Sequence, residues 1–235
     1  MGKVYLKVPK VNELGYRQSL LLKREELAQF PESIWEVWAS KWLSDNKDFY
    51  YGYVVRKKDG VNVGEVSYNF DLNEQMPFIS IFIESIYRRN YYGQEAVQLL
   101  LDRCLKKQKF EMIGVKYLKD NIVLTKFFNK LGFKLYKEDN TYMYAKITKE
   151  DYQISDYIDE FGRVKKMPIS SKIKNRLVEY VASKFKFGQL YSDRAIQKTL
   201  GDNVPNKNIE VFKNLLLNLG YFAKSNDETM FERIK

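Results

Sequence analysis

The sequence predicts an α+β chain of two domains. The larger is a mixed sheet flanked by helices, and the smaller is three helices closed by a hairpin. Three observations carry this. Over residues 1–150 the apolar pattern passes from helical spacing to strand-like runs and back again. Residues 151–168 are polar and mixed and end in Lys165-Lys166-Met167-Pro168, the composition of a linker. The net charge of +10 is also uneven: residues 163–235 hold 15 Lys/Arg against 7 Asp/Glu, whereas residues 1–162 hold 25 against 23. A basic domain at 169–235 therefore follows a nearly neutral one at 1–150.

The elements follow in order. Leu20, Leu21, Leu22 and Leu27 mark an amphipathic helix over 16–28. A second helix over 33–43 opens at Pro31-Glu32-Ser33, and its apolar face is read as Ile34, Val37, Trp38 and Trp42, with Trp35 off the spacing. The period then changes. Phe49 to Val55, Val61 to Phe70 and Met76 to Ile83 read as an antiparallel meander, with a turn at Lys58-Asp59-Gly60. A basic loop, Arg88-Arg89-Asn90-Tyr91-Tyr92-Gly93, leads into a helix whose apolar positions Val97, Leu100, Leu101, Cys104 and Leu105 recur at three and four. A strand at Met112 to Leu118 follows, then a helix from Ile122 to Leu131 stopped by Gly132, then strands Phe133 to Tyr136 and Tyr142 to Ile147. In the last third, helices are predicted over 171–186, 192–200 and 206–218. Ser192-Asp193 caps the second, Gly220 closes the third, and a hairpin turns at Ser225-Asn226-Asp227. Three helices and a C-terminal hairpin form a winged-helix pattern.

Composition narrows the chemistry. The chain has no histidine and a single cysteine, Cys104, inside an apolar helical run. This excludes Ser-His-Asp and Cys-His catalysis, His-ligated zinc and an intrachain disulfide, and no metal is expected. A general base near neutral pH must then be a carboxylate, lysine, tyrosine, water or the substrate itself. The opening Met1-Gly2-Lys3-Val4-Tyr5 lacks the apolar run of a secretory signal, and no stretch approaches the roughly 18 apolar residues of a membrane helix. A cytoplasmic protein is expected.

The most informative stretch is Phe82 to Leu101, where a strand ends, a basic loop follows and a helix begins. A helix N-terminus offers unpaired N–H groups and partial positive charge, and Arg88 and Arg89 add formal charge, so the stretch is a candidate anion cradle. Tyr87-Arg88-Arg89-Asn90-Tyr91-Tyr92-Gly93-Gln94-Glu95-Ala96 resembles the acyl-CoA pyrophosphate loop of GNAT acetyltransferases, Gln/Arg-x-x-Gly-x-Gly/Ala, with Arg88 at the first position and Gly93 at the last. Asn121 to Phe133 is similar to the family's Asn-…-Tyr-x-Lys-x-Gly-Phe helix, with Asn121, Lys130, Gly132 and Phe133 in register, and Gly64-Glu65 resembles part of its third strand.

The resemblance covers nearly all of residues 1–150 and implies acetyl-CoA as co-substrate and an amine as acceptor. The pyrophosphate would sit on the backbone of Arg89, Asn90, Tyr91, Tyr92, Gly93 and Gln94, with Arg88 adjoining. The pantetheine arm would pair with Ile81, Phe82 and Ile83, and Asn121 and Phe128 would adjoin the donor. The acceptor would attack the thioester directly, which suits a chain without histidine. Glu84, at the strand end before the loop, is the first candidate base, and Glu65 is the second. Two positions depart from the pattern. Tyr91 replaces the first motif glycine, and is expected to fit only with a negative φ and an outward ring. Phe128 stands where the family often has a tyrosine acid. Tyr117, Tyr136 and Tyr142 are candidate substitutes.

The last third resembles a small winged-helix domain of uncharacterised function. Lys207, Asn208, Lys213 and Asn214 would face outward from its third helix, and Arg176, Lys184, Lys186 and Arg194 would meet phosphates. A nucleic-acid partner or a protein partner fits this basic surface. Two functions therefore stand: an N-acetyltransferase, or a CoA-sensing or inactive relative that binds a partner through the C-terminal domain.

Overall fold

The computed structural model describes residues 2–23, 30–44, 46–159, 161–225 and 229–235. The chain divides into two compact units, residues 1–149 and 150–235. The end of the first predicted helix and most of the predicted turn at 225–227 lie outside the described residues.

The first unit is built on one sheet. It begins with β1 (Val4–Lys7), a four-residue strand that the sequence reading missed because so short a run carries no measurable alternation. Helices α1 (Gly15–Lys23) and α2 (Trp35–Trp42) follow. Then come β2 (Phe49–Arg56), β3 (Asn62–Asp71) and β4 (Met76–Ile83), the predicted meander. Helix α3 (Tyr92–Leu101) runs on as a π-helical segment, Asp102–Lys107. Strand β5 (Met112–Leu118), helix α4 (Ile122–Lys130) and strands β6 (Lys134–Glu138) and β7 (Tyr142–Thr148) complete the unit. The strand order is β1-β2-β3-β4-β5-β7-β6.

Two helix faces show how packing decides between sequence patterns. In α3 and its π continuation, Val97, Leu100, Leu101, Cys104 and Leu105 are all buried, as their spacing predicts. In α2 the predicted face is corrected. Ile34 and Val37 are exposed, whereas Trp35 and Ala39 are buried beside Phe30 and Leu14. Trp38 and Trp42 face β2, where they pack with Tyr51, Tyr53 and Val55. The large indole rings, not the count of aliphatic residues, set which stripe is buried.

Every neighbouring pair in this sheet is antiparallel except one. Strands β4 and β5 run parallel and pair through Phe78 and Gly114 alone. Past that point the sheet forks. By contrast, β3 and β4 stay paired from Asp71↔Met76 to Gly64↔Ile83.

In the second unit, α5 (Lys149–Ile154) leads to α6 (Ser171–Ala182), β8 (Leu190–Ser192), α7 (Asp193–Asn203), α8 (Ile209–Asn218), β9 (Phe222–Lys224) and β10 (Met230–Arg233). Ser192 caps α7 as predicted, accepting from the Ala195 amide at 3.2 Å. Strand β8 is an addition to the predicted hairpin, and it pairs with β10 in a sheet of order β8-β10-β9. Residues 151–168 are not a free linker. Ile154, Tyr157, Ile158, Val164 and Met167 pack on the core of Leu177, Val181, Phe185, Ile196, Leu200 and Phe212. Arg176, expected to meet phosphates, instead pairs with Asp151 at 2.9 Å and Glu179 at 2.5 Å. Lys213, expected to face outward, is tied to Asp193 on α7.

Candidate functional site

The fork between β4 and β5 opens a cleft of about 730 Å³. Side chains alternate across a strand, so residues of both parities reach it. Ile79, Ile81, Tyr117 and Phe128 line it from the side of α4, and Ser80, Lys116, Tyr142 and Tyr144 line it from the other. The cleft thus passes through the sheet. At the β6–β7 pairing the register shifts between Leu135 and Lys137, and Tyr136 and Lys137 both reach Glu74, at 2.9 and 2.6 Å. These bonds fix Glu74 in the cleft wall and hold its carboxyl below the usual range, Lys137 contributing most.

The loop from Arg88 to Gly93 follows β4 directly. Arg88 donates from Nε to the Ile83 carbonyl at 2.9 Å, and Asn90 donates to the Tyr87 and Arg88 carbonyls at 3.3 and 3.1 Å, so the loop is braced from within. Arg89 and Tyr91 both have left-handed backbones, with φ of +64° and +67°. The expected negative φ at Tyr91 is therefore corrected: the tyrosine takes the conformation that a glycine would occupy without strain, at a cost of about 1–2 kcal/mol. Its ring does point outward and is 64% exposed.

Among the described residues, the backbone amides of Arg89, Asn90, Tyr91, Tyr92, Gly93 and Gln94 find no acceptor, and the first to do so is Glu95, bonded to the Tyr91 carbonyl at 3.1 Å. A helix leaves its own first amides open, and here the left-handed turns at Arg89 and Tyr91 extend that open stretch back into the loop. The Glu95 side chain does not neutralise that row, because its oxygens accept from the Lys3 and Val4 amides of the β1 segment at 2.8 and 3.2 Å. Gly93 stands over the end of β4. A Cβ built there lies 3.5 Å from the Ile83 side chain and 3.7 Å from that of Ile81. The loop and the cleft are therefore continuous through Ile81, and Phe82 lies between them under the Arg88 guanidinium, 5.7 Å from its ring.

Glu84 and Glu65 are brought together under α1. Both are buried, at 7% and 6% exposure, so neither is a solvated surface carboxylate. Glu84 accepts from the Tyr16 hydroxyl at 2.6 Å and pairs with Lys23. Glu65 accepts from the Tyr51 hydroxyl and pairs with Arg17 at 3.2 Å. Burial, with these carboxylates beside them, pushes the phenols of Tyr16 and Tyr51 far above their ordinary value, so both remain donors. Arg17 lies 5.2, 4.6 and 5.0 Å from the rings of Phe30, Trp38 and Tyr51. Neither glutamate lines the cleft. Their α1 partners were not found in the sequence reading, since residues 48 to 68 positions apart leave no local signal.

Asn121 caps α4, accepting from the Leu124 amide at 3.0 Å, and also reaches the cleft wall. Phe128 is buried, stacked on Tyr117 with ring centroids 5.6 Å apart and edge-on to Phe133 at 5.3 Å. Among the described residues, no group of three or more His, Cys, Asp or Glu is placed to hold a metal ion, and no helix is long and apolar enough to cross a membrane.

A forked sheet with an open amide row at the fork is the arrangement that the loop motif implies, and comparison with known proteins decides the family. The acetyltransferase (GNAT) domain model matches residues 8–134, more than half of the chain. The chain belongs to the GNAT acetyltransferase family. Domains of this family use acetyl-CoA as co-substrate. The GNAT fold is shared with solved structures. Among them are the apo form of FdhC, a nucleotide-linked sugar GNAT (18% identity, 66% of this chain and 91% of that one, TM-score 0.57), and spermidine N-acetyltransferase from Vibrio cholerae (14%, 64% and 96%, TM-score 0.56). A GNAT-family acetyltransferase from Bacillus anthracis is similar at 16% identity over 63% and 96% of the two chains, with a TM-score of 0.52. No curated protein sequence matches this GNAT chain significantly.

Proposed function

We propose that the first unit is a cytoplasmic N-acetyltransferase that moves an acetyl group from acetyl-CoA to a primary amine by direct attack. The observation that carries this reading is the row of open amides from Arg89 to Gln94, held by left-handed turns at Arg89 and Tyr91 and continuous with a forked sheet. The amides take the pyrophosphate, and Arg88 and Arg89 add charge. The unpaired edge of β4 at Ile81, Phe82 and Ile83 takes the pantetheine arm, and Asn121 and Phe128 flank it from α4. The amine nitrogen attacks the thioester carbonyl, the C–S bond breaks, and the thiolate leaves. Two proton movements accompany this: one leaves the amine and one reaches the thiolate.

Glu84 is the proposed base, with Glu65 second. Glu84 already holds the ammonium of Lys23, whose side chain is 55% exposed, and an acceptor ammonium is the same kind of partner. Phe128 cannot donate, so the acid is assigned to Tyr117, whose ring stacks on it at the cleft wall. A thiol pKa of about 8.5 makes that assistance modest in effect. The second unit is proposed to be a winged-helix-like module that recruits a protein or nucleic-acid partner through exposed Lys184, Lys186 and Arg194.

The buried, non-donating Phe128 favours a second reading, a CoA sensor without transfer activity. Calorimetric titration of acetyl-CoA at two salt concentrations, followed by a thiol-release screen over amines, separates these readings. Micromolar, salt-sensitive binding with amine-dependent release is the expected result. Binding without release across the screen supports the sensor, and absence of binding removes both.

A further inference from the structure

The cleft has two faces, and the donor loop stands on one of them. Gly93 faces the side chains of Ile83, Ile81 and Phe127, on the side of α4. An acceptor must then reach the fork from the other side, which Phe78, Ser80, Lys116, Tyr142 and Tyr144 line. Ser80 on β4 and Lys116 on β5 each lie two residues beyond the Phe78–Gly114 pair, so Lys116 stands at the fork itself. Its ammonium lies 4.0 Å from the centre of the Tyr142 ring and 5.3 Å from that of Tyr144. Tyr144 is itself fixed: it meets the Phe78 ring edge-on at 6.4 Å and donates its hydroxyl to Asp139 at 2.8 Å.

The other charges of the cleft wall are already engaged. Glu74 holds Tyr136 and Lys137, and Asp71 accepts from the Asn73 and Glu74 amides at 2.8 and 3.1 Å. Asp139 is near enough to feel the Lys116 charge, but its oxygens accept from the Thr141 and Tyr142 amides and the Tyr144 hydroxyl. Among the described residues, no carboxylate forms an ion pair with Lys116. An ammonium placed by two rings, without an ion-pair partner and lining an open cleft, repels a cationic ligand and receives an anionic one.

We propose that Lys116 selects an acceptor that carries an anionic group, a phosphate or a carboxylate, beside its primary amine. The inference rests on the transferase reading and adds the class of acceptor to it. The amine goes to the thioester and the anionic group to Lys116. A polyamine, cationic at every nitrogen, is the poorest fit to this side of the cleft.

The test is acetyl-CoA-dependent thiol release by the full chain at low salt, with ethanolamine, O-phosphoethanolamine, β-alanine and putrescine as acceptors, for the parent, K116M and K116E. Lys116 is exposed and methionine keeps an unbranched stem against the rings, so K116M keeps its fold. Ratios between acceptors, compared from one protein to the next, cancel differences in amine basicity. The parent is expected to prefer O-phosphoethanolamine over ethanolamine by about fivefold in kcat/KM, as one solvent-exposed ion pair allows, and to lose the preference as salt rises. In K116M the ratio should fall to about one, and in K116E it should invert and favour putrescine. A preference that β-alanine shares supports a seat for any anion, and one confined to the phosphate supports a phosphate seat. A parent that uses putrescine as well as O-phosphoethanolamine, or a preference that survives in K116M, overturns the selection and leaves the transferase reading standing. An equal loss of turnover on every acceptor in K116M also overturns it, since Lys116 would then serve the chemistry and not the choice of acceptor. No release with any acceptor overturns the transferase reading and the selection together.

Discussion

Glycine is required at Gly64 and not at Gly93, and alanine substitutions separate the two. At Gly64, a Cβ would stand 2.1 Å from the Phe82 carbonyl oxygen and 3.0 Å from Ile83 Cα, both backbone atoms of β4. Ordinary contact needs more than 1 Å of additional room, so β3 and β4 must part where Gly64 faces Ile83 and Glu65 faces Phe82. Overpacking of this kind costs about 1–3 kcal/mol, and weakening a ladder bond adds about 1 kcal/mol. G64A should therefore lose about 2–4 kcal/mol, which lowers the melting temperature of a unit this size by roughly 10 °C. At Gly93 the nearest atoms to a Cβ are side-chain carbons at 3.5, 3.7 and 3.8 Å, all at ordinary contact distance. G93A should keep its stability or gain up to about 1 kcal/mol, because alanine has less conformational freedom to lose. Its methyl group meets only the side chains of Ile83, Ile81 and Phe127, and the loop motif accepts alanine at this position, so acetyl-CoA affinity should stay within about twofold of the parent. Differential scanning calorimetry and acetyl-CoA titration on the two variants give both readouts. G64A melting within about 2 °C of the parent would refute the β3–β4 register. A loss of acetyl-CoA affinity of about tenfold or more in G93A, with its stability kept, would refute the placing of Gly93 at the motif's last position.

Three further expectations follow from buried groups. E84Q should lower the turnover of acetyl transfer by about 10²–10⁴ while acetyl-CoA affinity stays within about twofold; unchanged turnover would place the base elsewhere. Burial pushes the Cys104 thiol up to about 12 from an ordinary value of 9.0. The folded state thus holds a proton that the unfolded state releases, so stability is full below pH 9 and falls as pH rises through the folded value, at about 1.4 kcal/mol per pH unit. C104A should remove that slope between pH 9 and 10, measured by urea denaturation at several pH values. In the second unit, R176A takes a partner from Asp151, whose side chain is 8% exposed, and should cost about 2 kcal/mol after discounting for the part-exposed arginine. Trp35, Trp38 and Trp42 all lie in the first unit, so the loss should appear in far-UV circular dichroism and leave the tryptophan fluorescence transition in place.

The strands of the meander, α3 and α4 were legible in the sequence because each buries a stripe whose period its own residues display. What was not legible depends on partners distant in the chain. Strand β1 exists because β2 offers it an edge, not because four residues demand a strand. Trp35 is buried because Phe30 and Leu14 come to meet it. Residues 151–168 are polar enough to read as a linker, and they pack because a few apolar residues, Ile154, Tyr157, Ile158 and Val164, find a core further along the chain. The pairing of Glu84 with Tyr16 and Lys23 is of the same sort.

Tyr91 is the most instructive case, because there the sequence pointed the wrong way. A motif written in residue letters records glycine where the backbone must turn left-handed, so a tyrosine reads as a defect. The physical requirement is the dihedral, not the residue. The surrounding braces, Arg88 on the Ile83 carbonyl, Asn90 on two loop carbonyls and Glu95 on the β1 amides, hold the turn against about 1–2 kcal/mol of strain. The Y91G variant tests this division of labour. Relief of strain and the added freedom of glycine in the unfolded chain nearly offset one another, so stability should change by less than about 1 kcal/mol. If the braces set the shape of the loop, affinity for acetyl-CoA should stay within about twofold of the parent, since its pyrophosphate needs only the amide row. A large change in that affinity would mean that the tyrosine itself, and not the bonds around it, sets the conformation of the loop.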